Sequence, residues 1–161
     1  MKRGIALFLA LVLILGTLPA TAFATGGTLE GEGTKDSPYQ IRDAEDLMAF
    51  GALVDEGDTS ICGELLSSID LTGYDWAAIG GIKDKPYSGT FDGHGYTVTL
   101  DITVNADWPH SYVGLFDTLE QATVKNVRVE GKVTAEEDSG DWGLCYGGIA
   151  AAIGGGNRIE N

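Results

Sequence analysis

The strongest constraint on this chain is an imperfect internal repeat. Gly89-Thr90-Phe91-Asp92 followed by Val98-Thr99-Leu100-Asp101-Ile102 matches Gly114-Leu115-Phe116-Asp117 followed by Val124-Lys125-Asn126-Val127-Arg128-Val129, at an offset of 25 to 27 residues. The match resumes at Gly148-Ile149-Ala150-Ala151, and Ile159-Glu160-Asn161 stands where Val124-Lys125-Asn126 stood one unit earlier. This second offset is 34 to 35 residues, lengthened by the acidic insert between Glu136 and Asp141 and its neighbours. On this alignment Asp92 and Asp117 are equivalent positions. A period of this size with two or three short strands per unit is what one turn of a parallel β-helix requires, because a single turn cannot bury its own apolar face and must stack on the next. An all-β solenoid is therefore expected.

The strand-like segments agree. Residues 61–66, 69–71, 89–91, 96–104, 112–116, 124–133 and 146–153 carry β-branched, aromatic or alternating apolar residues, with Gly, Asp, Asn or Ser in most of the breaks. Before them, order is expected to begin near Pro38-Tyr39-Gln40-Ile41. One helix follows, over about 43–54: Asp43 suits an N-cap, Glu45 and Asp46 suit the first turn, Leu47, Phe50 and Val54 share a face, and Gly57 stops it. A helix in that place caps the open N-terminal end of a stack. No comparable cap is visible towards Asn161, so the chain is expected to be truncated there.

Residues 1–24 have the anatomy of a secretory leader: Lys2 and Arg3, an apolar run from Ile5 to Leu15, then Ala22-Phe23-Ala24 for cleavage. The run is too short for a spanning helix. Residues 25–36 read as a flexible lead-in, and residues 37–161 as the β-helix with its cap. The formal charge is −14, and about −16 once Lys2 and Arg3 leave, a field that repels nucleic acid and anionic lipid. Nucleic-acid partners and membrane insertion of the mature chain are not expected; secretion or display at the cell surface is. Cys62 and Cys145 can pair in an oxidising compartment or stand as two small buried residues.

The ordered motifs carry a resemblance. Gly33-Thr34 with Ser37-Pro38-Tyr39-Gln40-Ile41, Asp43-Ala44-Glu45-Asp46-Leu47, Ser68-Ile69-Asp70-Leu71 with Trp76 and Ile79-Gly80, and Gly89-Thr90-Phe91-Asp92-Gly93-His94-Gly95-Tyr96-Thr97-Val98 resemble the opening of bacterial surface proteins with GLUG-motif repeats. Val113-Gly114-Leu115-Phe116 and Gly147-Gly148-Ile149-Ala150 look like the first strands of successive repeats. The resemblance implies a right-handed parallel β-helix on secreted or wall-attached proteins, often adhesin-like, and sometimes the non-catalytic N-terminal part of immunoglobulin A metallopeptidases. The second unit departs from the pattern at Ala151-Ala152, where a glycine is commoner.

Paired carboxylates are the first candidates for chemistry. Asp70, Asp75, Asp92, Asp101 and Asp117 are available, and stacked turns would bring equivalent acids together, yet each sits at a strand end or Gly-containing turn where Asp bonds local backbone. His94, between two glycines, reads as a tight turn, and His110 as a loop residue. There is no metal-ligand spacing, no nucleophile elbow and no phosphate loop. No catalytic residue, metal or cofactor is expected. The aromatics are the positive hint: Trp76, Tyr87, Trp108 and Trp142 are the candidate contacts for sugar rings or a protein partner, against packing under the turns for Trp76, Tyr96 and Tyr112. The expectation is thus a non-catalytic surface module for adhesion to an extracellular glycan or host protein. The alternatives are the N-terminal region of a larger secreted metallopeptidase and a fragment of a polysaccharide lyase or hydrolase.

Overall fold

The expected helix forms as α1, Ala44–Glu56. Its ends explain its limits. The Asp43 carboxylate accepts the Asp46 amide at 2.9 Å, the Asp46 carboxylate accepts the Arg42 amide at 3.0 Å, and Gly57 turns the chain at φ 130° with its amide on the carbonyls of Leu53 and Val54. The computed structural model describes residues 29–81, 85–104, 112–135 and 145–161. Within these, twelve strands run β1 (Tyr39–Ile41), then after α1 β2 (Gly63–Leu65), β3 (Ile69–Asp70), β4 (Thr90–Asp92), β5 (Thr97–Val104), β6 (Tyr112–Val113), β7 (Phe116–Leu119), β8 (Thr123–Lys125), β9 (Arg128–Ala135), β10 (Cys145–Tyr146), β11 (Ala150–Ile153) and β12 (Arg158–Glu160). Among the described residues the protein is mostly β with one helix.

Every pair among these strands is parallel. Five form a sheet in the order β1-β2-β4-β8-β12, three a sheet β3-β5-β9, and two pairs β6-β10 and β7-β11 complete the set. The repeat explains only part of the register. Ile159 pairs with Val124 and Ala150 with Phe116, as the second offset predicts. The first offset does not hold: Phe91 pairs with Val124 and Val98 with Val129, so Thr90-Phe91-Asp92 belongs with Thr123-Val124-Lys125 and not with Leu115-Phe116-Asp117. Asp92 and Asp117 therefore lie on different sheets. The sequence match misleads because Gly-x-Phe-Asp marks a strand in two sheets, and only hydrogen-bond register tells them apart.

Three of the expected strands are broken in two. Residues 114–115, 126–127 and 147–149 are the points where the chain passes from one sheet to another. At the second of these Asn126 adopts φ 53°, a left-handed geometry that Asn tolerates better than most residues. The corner before it carries His94 at φ 49°, and the two stack: the Gly93 amide donates to the Lys125 carbonyl at 2.8 Å and the Gly95 amide to the Asn126 carbonyl at 2.6 Å. A third corner is held by Asn157, whose side-chain amide donates to the carbonyls of Leu119 and Gly154 and accepts the Ala122 amide at 2.8 Å.

The core is aromatic at the helix end. Phe50 of α1 is fully buried, with its ring 5.9 Å from those of both Tyr87 and Phe91; Phe91 meets Phe116 edge-on at 5.3 Å, and Tyr87 stacks on Phe116 at 5.0 Å. Gly63 makes room for this: a Cβ there would stand 2.8 Å from the Phe50 ring. Residues 29–36, expected as part of a flexible lead-in, instead fold back on β1, where Glu30 bridges Gln40 antiparallel and the Gly33 carbonyl accepts the Cys62 amide at 2.7 Å. At the other end β9, β10, β11 and β12 are edge strands, and Ile153 and Ile159 are 57% and 43% exposed. No helix among the described residues is long and apolar enough to cross a membrane.

Candidate ligand-binding face

Side chains alternate across a strand, so each strand of the five-stranded sheet gives one row to the core and one to the outside. Phe91 and Val124 point in, and Thr90 with Asp92, and Thr123 with Lys125, point out. Register aligns the outward residues into two rows perpendicular to the strands. One is Gln40, Glu64, Asp92, Lys125, Glu160; the other includes Thr90, Thr123 and Arg158. Residues of both rows, together with Lys35 and His94, border a groove of 510 Å³.

The charges in this groove are arranged in pairs. Lys125 Nζ lies 2.7 Å from Asp92, His94 Nε2 lies 3.0 Å from Glu64, and Arg158 bonds Glu160 on its own strand. Arg42, at the β1 end, donates to Gln40 at 2.7 Å and pairs with Glu30. Asp92 is the most constrained member. Burial pushes its carboxyl up, but Lys125, the His94 amide and the Asn126 side-chain amide outweigh it and hold it down at about 2. The Lys35 ammonium and the Thr90 and Thr123 hydroxyls have no side-chain partner among the described residues. The face thus presents fixed acceptors, fixed cations and free hydroxyls at strand spacing, an arrangement suited to hydrogen-bonding a polar ligand.

The residues singled out from sequence fall elsewhere. Tyr87 is buried, not at the surface: its hydroxyl donates to the Ile61 carbonyl at 2.9 Å, and burial pushes its ionisation well above the usual range. Pro86 before it gives the sequence the look of an exposed loop, whereas the Tyr87 ring fills the core against Phe50 and Phe116. Trp76 is buried too, with Nε1 donating to the Gly114 carbonyl at 3.0 Å. Tyr96, for which packing under a turn is the alternative to an exposed contact, is 38% exposed, and Tyr74, which nothing in the sequence marks, is 37% exposed with its hydroxyl on Glu45 at 3.0 Å. Trp108, Trp142, His110 and the side chain of Tyr112 lie outside the described residues.

The five aspartates separate. Asp70 accepts the Thr72 amide at 2.9 Å in an Asx turn, and the Thr72 hydrogen bonds lower its ionisation. Asp92 makes the same kind of turn with the His94 amide. Asp101 pairs with Lys132 at 3.3 Å and, with Asp75 and Tyr74, borders a second cleft of 430 Å³. Asp117 is buried, accepting from the Thr118 hydroxyl at 2.7 Å. Cys62 is buried with a free thiol, and the side chain of Cys145 lies outside the described residues. Among the described residues no group of three or more His, Cys, Asp or Glu is placed to hold a metal ion.

No protein-family model matches the chain. It is 32% identical over 108 residues to a "Putative Gly-rich membrane protein" of Evansella cellulosilytica, a match covering 63% of this chain and 12% of that protein. It is 30% identical over 124 residues to the "Halomucin" of Haloquadratum walsbyi, covering 68% of this chain and 1% of that protein. The chain thus spans a small part of the length of both curated relatives. Among solved structures it is similar to that of a "putative immunoglobulin A1 protease" from Bacteroides ovatus, at 21% identity and a TM-score of 0.48, over 76% of this chain and 44% of that one.

Proposed function

We propose that the chain is a stack of turns of a right-handed parallel β-helix, exported and displayed outside the cell, where it binds a ligand without transforming it. The observation that carries this reading is the continuous in-register face of the five-stranded sheet, apolar inward and densely polar outward. Each parallel neighbour lies one repeat away, which is the connectivity of stacked turns, and parallel crossovers are right-handed in nearly all proteins. The ordered motifs resembling GLUG-repeat surface proteins support the same reading, as does the leader-like segment of residues 1–24. Adhesion is the use that suits such a face. A ladder of paired polar groups recognises an extended surface, and of its acids Asp92 and Glu160 pair with Lys125 and Arg158 while Glu64 bonds the His94 ring, rather than standing together as an acid and base pair.

The test is binding of the mature chain to arrays of extracellular glycans and matrix proteins, with release of reducing ends and of peptide fragments followed in parallel. Retention without turnover is the expected result. Catalytic release of either product would overturn the non-enzymatic reading.

A further inference from the structure

We infer that the groove on the five-stranded sheet takes a neutral, hydroxyl-rich polysaccharide whose chain runs perpendicular to the strands; this rests on the reading of that face as the ligand-binding surface. Neighbouring strands are about 4.8 Å apart, so the four intervals from β1 to β12 span about 19 Å. One interval is close to the length of one pyranose unit, so successive sugars meet an equivalent set of groups at each strand.

Those groups match sugar hydroxyls, which both donate and accept. Glu64, Asp92 and Glu160 offer carboxylate acceptors, Lys125 and Arg158 offer donors beside them, and the free Lys35, Thr90 and Thr123 stand along the same groove. A vicinal diol can bridge a carboxylate and the neighbouring cation in one contact. Charge selects the class further. The groove's own charges nearly cancel, whereas the whole chain is at −14. A polyanionic glycan would approach against that field, and a polycation would be held anywhere on the acidic surface without using the groove. An extended peptide seeks an unpaired strand edge such as that of β12, whereas across the groove the main-chain groups of β2, β4 and β8 are already committed to their neighbours on both sides.

The experiment is a titration of the isotope-labelled mature chain with neutral oligosaccharides of two to six units from the cello, xylo and manno series. An oligogalacturonate and an oligolysine serve as charged arms, and amide shifts are mapped by residue. The expected result is that one neutral series shifts the amides of β4, β8 and β12. Its affinity should rise with length to about four units, the ladder span, and then level. Binding should change less than about two-fold between about 50 and 500 mM salt. Thr90→Val with Thr123→Val should weaken it by about ten-fold, from two lost hydrogen bonds in strands that valine suits, with the melting curve intact. Shifts at this face from the oligogalacturonate or oligolysine alone would overturn the neutral-glycan inference and leave the face as a binding surface. Neutral sugars shifting only the cleft around Tyr74, or no probe shifting the sheet face, would overturn both.

Discussion

The seating of α1 over Gly63 gives the sharpest test of the fold. Gly63 occupies an inward position of β2, between Tyr39 and Phe91 in register, and an added Cβ would stand 2.8 and 3.0 Å from two atoms of the Phe50 ring and 3.2 Å from Ile41. Gly63→Ala gains about 0.5 to 1 kcal/mol from a stiffer unfolded chain, but the overpacking costs about 1 to 3 kcal/mol, so a net loss of up to about 2.5 kcal/mol is expected. Phe50→Ala empties a fully buried site and is expected to cost about 3 to 5 kcal/mol. At this chain length that lowers the melting temperature by about 6 to 20 °C.

The two changes are not independent. With the ring gone, the methyl introduced by Gly63→Ala is relieved of its two closest contacts, keeps the 3.2 Å approach to Ile41 and occupies part of the cavity, so the double variant should be more stable than the sum of the singles by about 1 to 3 kcal/mol. Urea titrations followed by circular dichroism on the four proteins measure this coupling, and Met48→Ala on the exposed face of α1 should change stability by less than about 0.5 kcal/mol. Additivity within about 0.5 kcal/mol would mean that Phe50 does not sit over Gly63, and the helix would then not close this end of the core.

Asn157→Ala removes the acceptor of the buried Ala122 amide and both donors to the corner carbonyls, and should cost about 2 to 3 kcal/mol by urea titration, with Asn157→Asp recovering only part. Asp92 is held at about 2 against an unfolded value of about 3.9, so its contribution is present above about pH 4 and is lost as pH falls from about 4 to 2. Discounted for the partly exposed Lys125, that contribution is about 1 to 2 kcal/mol, and Asp92→Asn should flatten the acid limb of the stability profile between those values while lowering stability at neutral pH. Ile159→Lys places a charge at the one apolar position of the edge strand β12, which is 43% exposed, and should reduce concentration-dependent association in sedimentation experiments without lowering the melting temperature by more than about 2 °C.

The parts of the fold that are legible in sequence are those set by local chemistry. The Asp43 cap, the Gly57 stop and the apolar face of Leu47, Phe50 and Val54 each act within a few residues, and α1 follows them closely. The strand-forming segments are legible for the same reason. Register is not, because it depends on residues about thirty apart choosing among similar partners. Where the pattern is distinctive, as at Ile159 with Val124, the pairing follows. Where Gly-Thr-Phe-Asp and Gly-Leu-Phe-Asp look alike, the match joins strands of two sheets, and the strand breaks at Gly114 and Asn126 are hidden within segments that read as continuous strands.

The candidate site is hidden by that same register error. Aromatic residues attract notice because each is informative alone, and the two candidates that the structure describes, Trp76 and Tyr87, lie in the core, where their polar atoms find backbone partners. Glu64, Thr90, Asp92, Thr123, Lys125, Arg158 and Glu160 are individually ordinary outward residues of short strands. They become a site only when β2, β4, β8 and β12 are aligned, since the alignment sets Lys125 between Asp92 and Glu160 and Thr90 beside Thr123. A signal is present in the flanks of the inward residues: Thr-Phe-Asp, Thr-Val-Lys and Arg-Ile-Glu share one apolar position between two polar ones. Aligning on those triplets, rather than on Gly-x-Phe-Asp, yields the polar ladder directly. It follows that in a stacked-strand protein the binding residues are to be sought by column through the repeat, and that variants in one column, such as Thr90 and Thr123, should couple with each other more strongly than with either neighbour along their own strand.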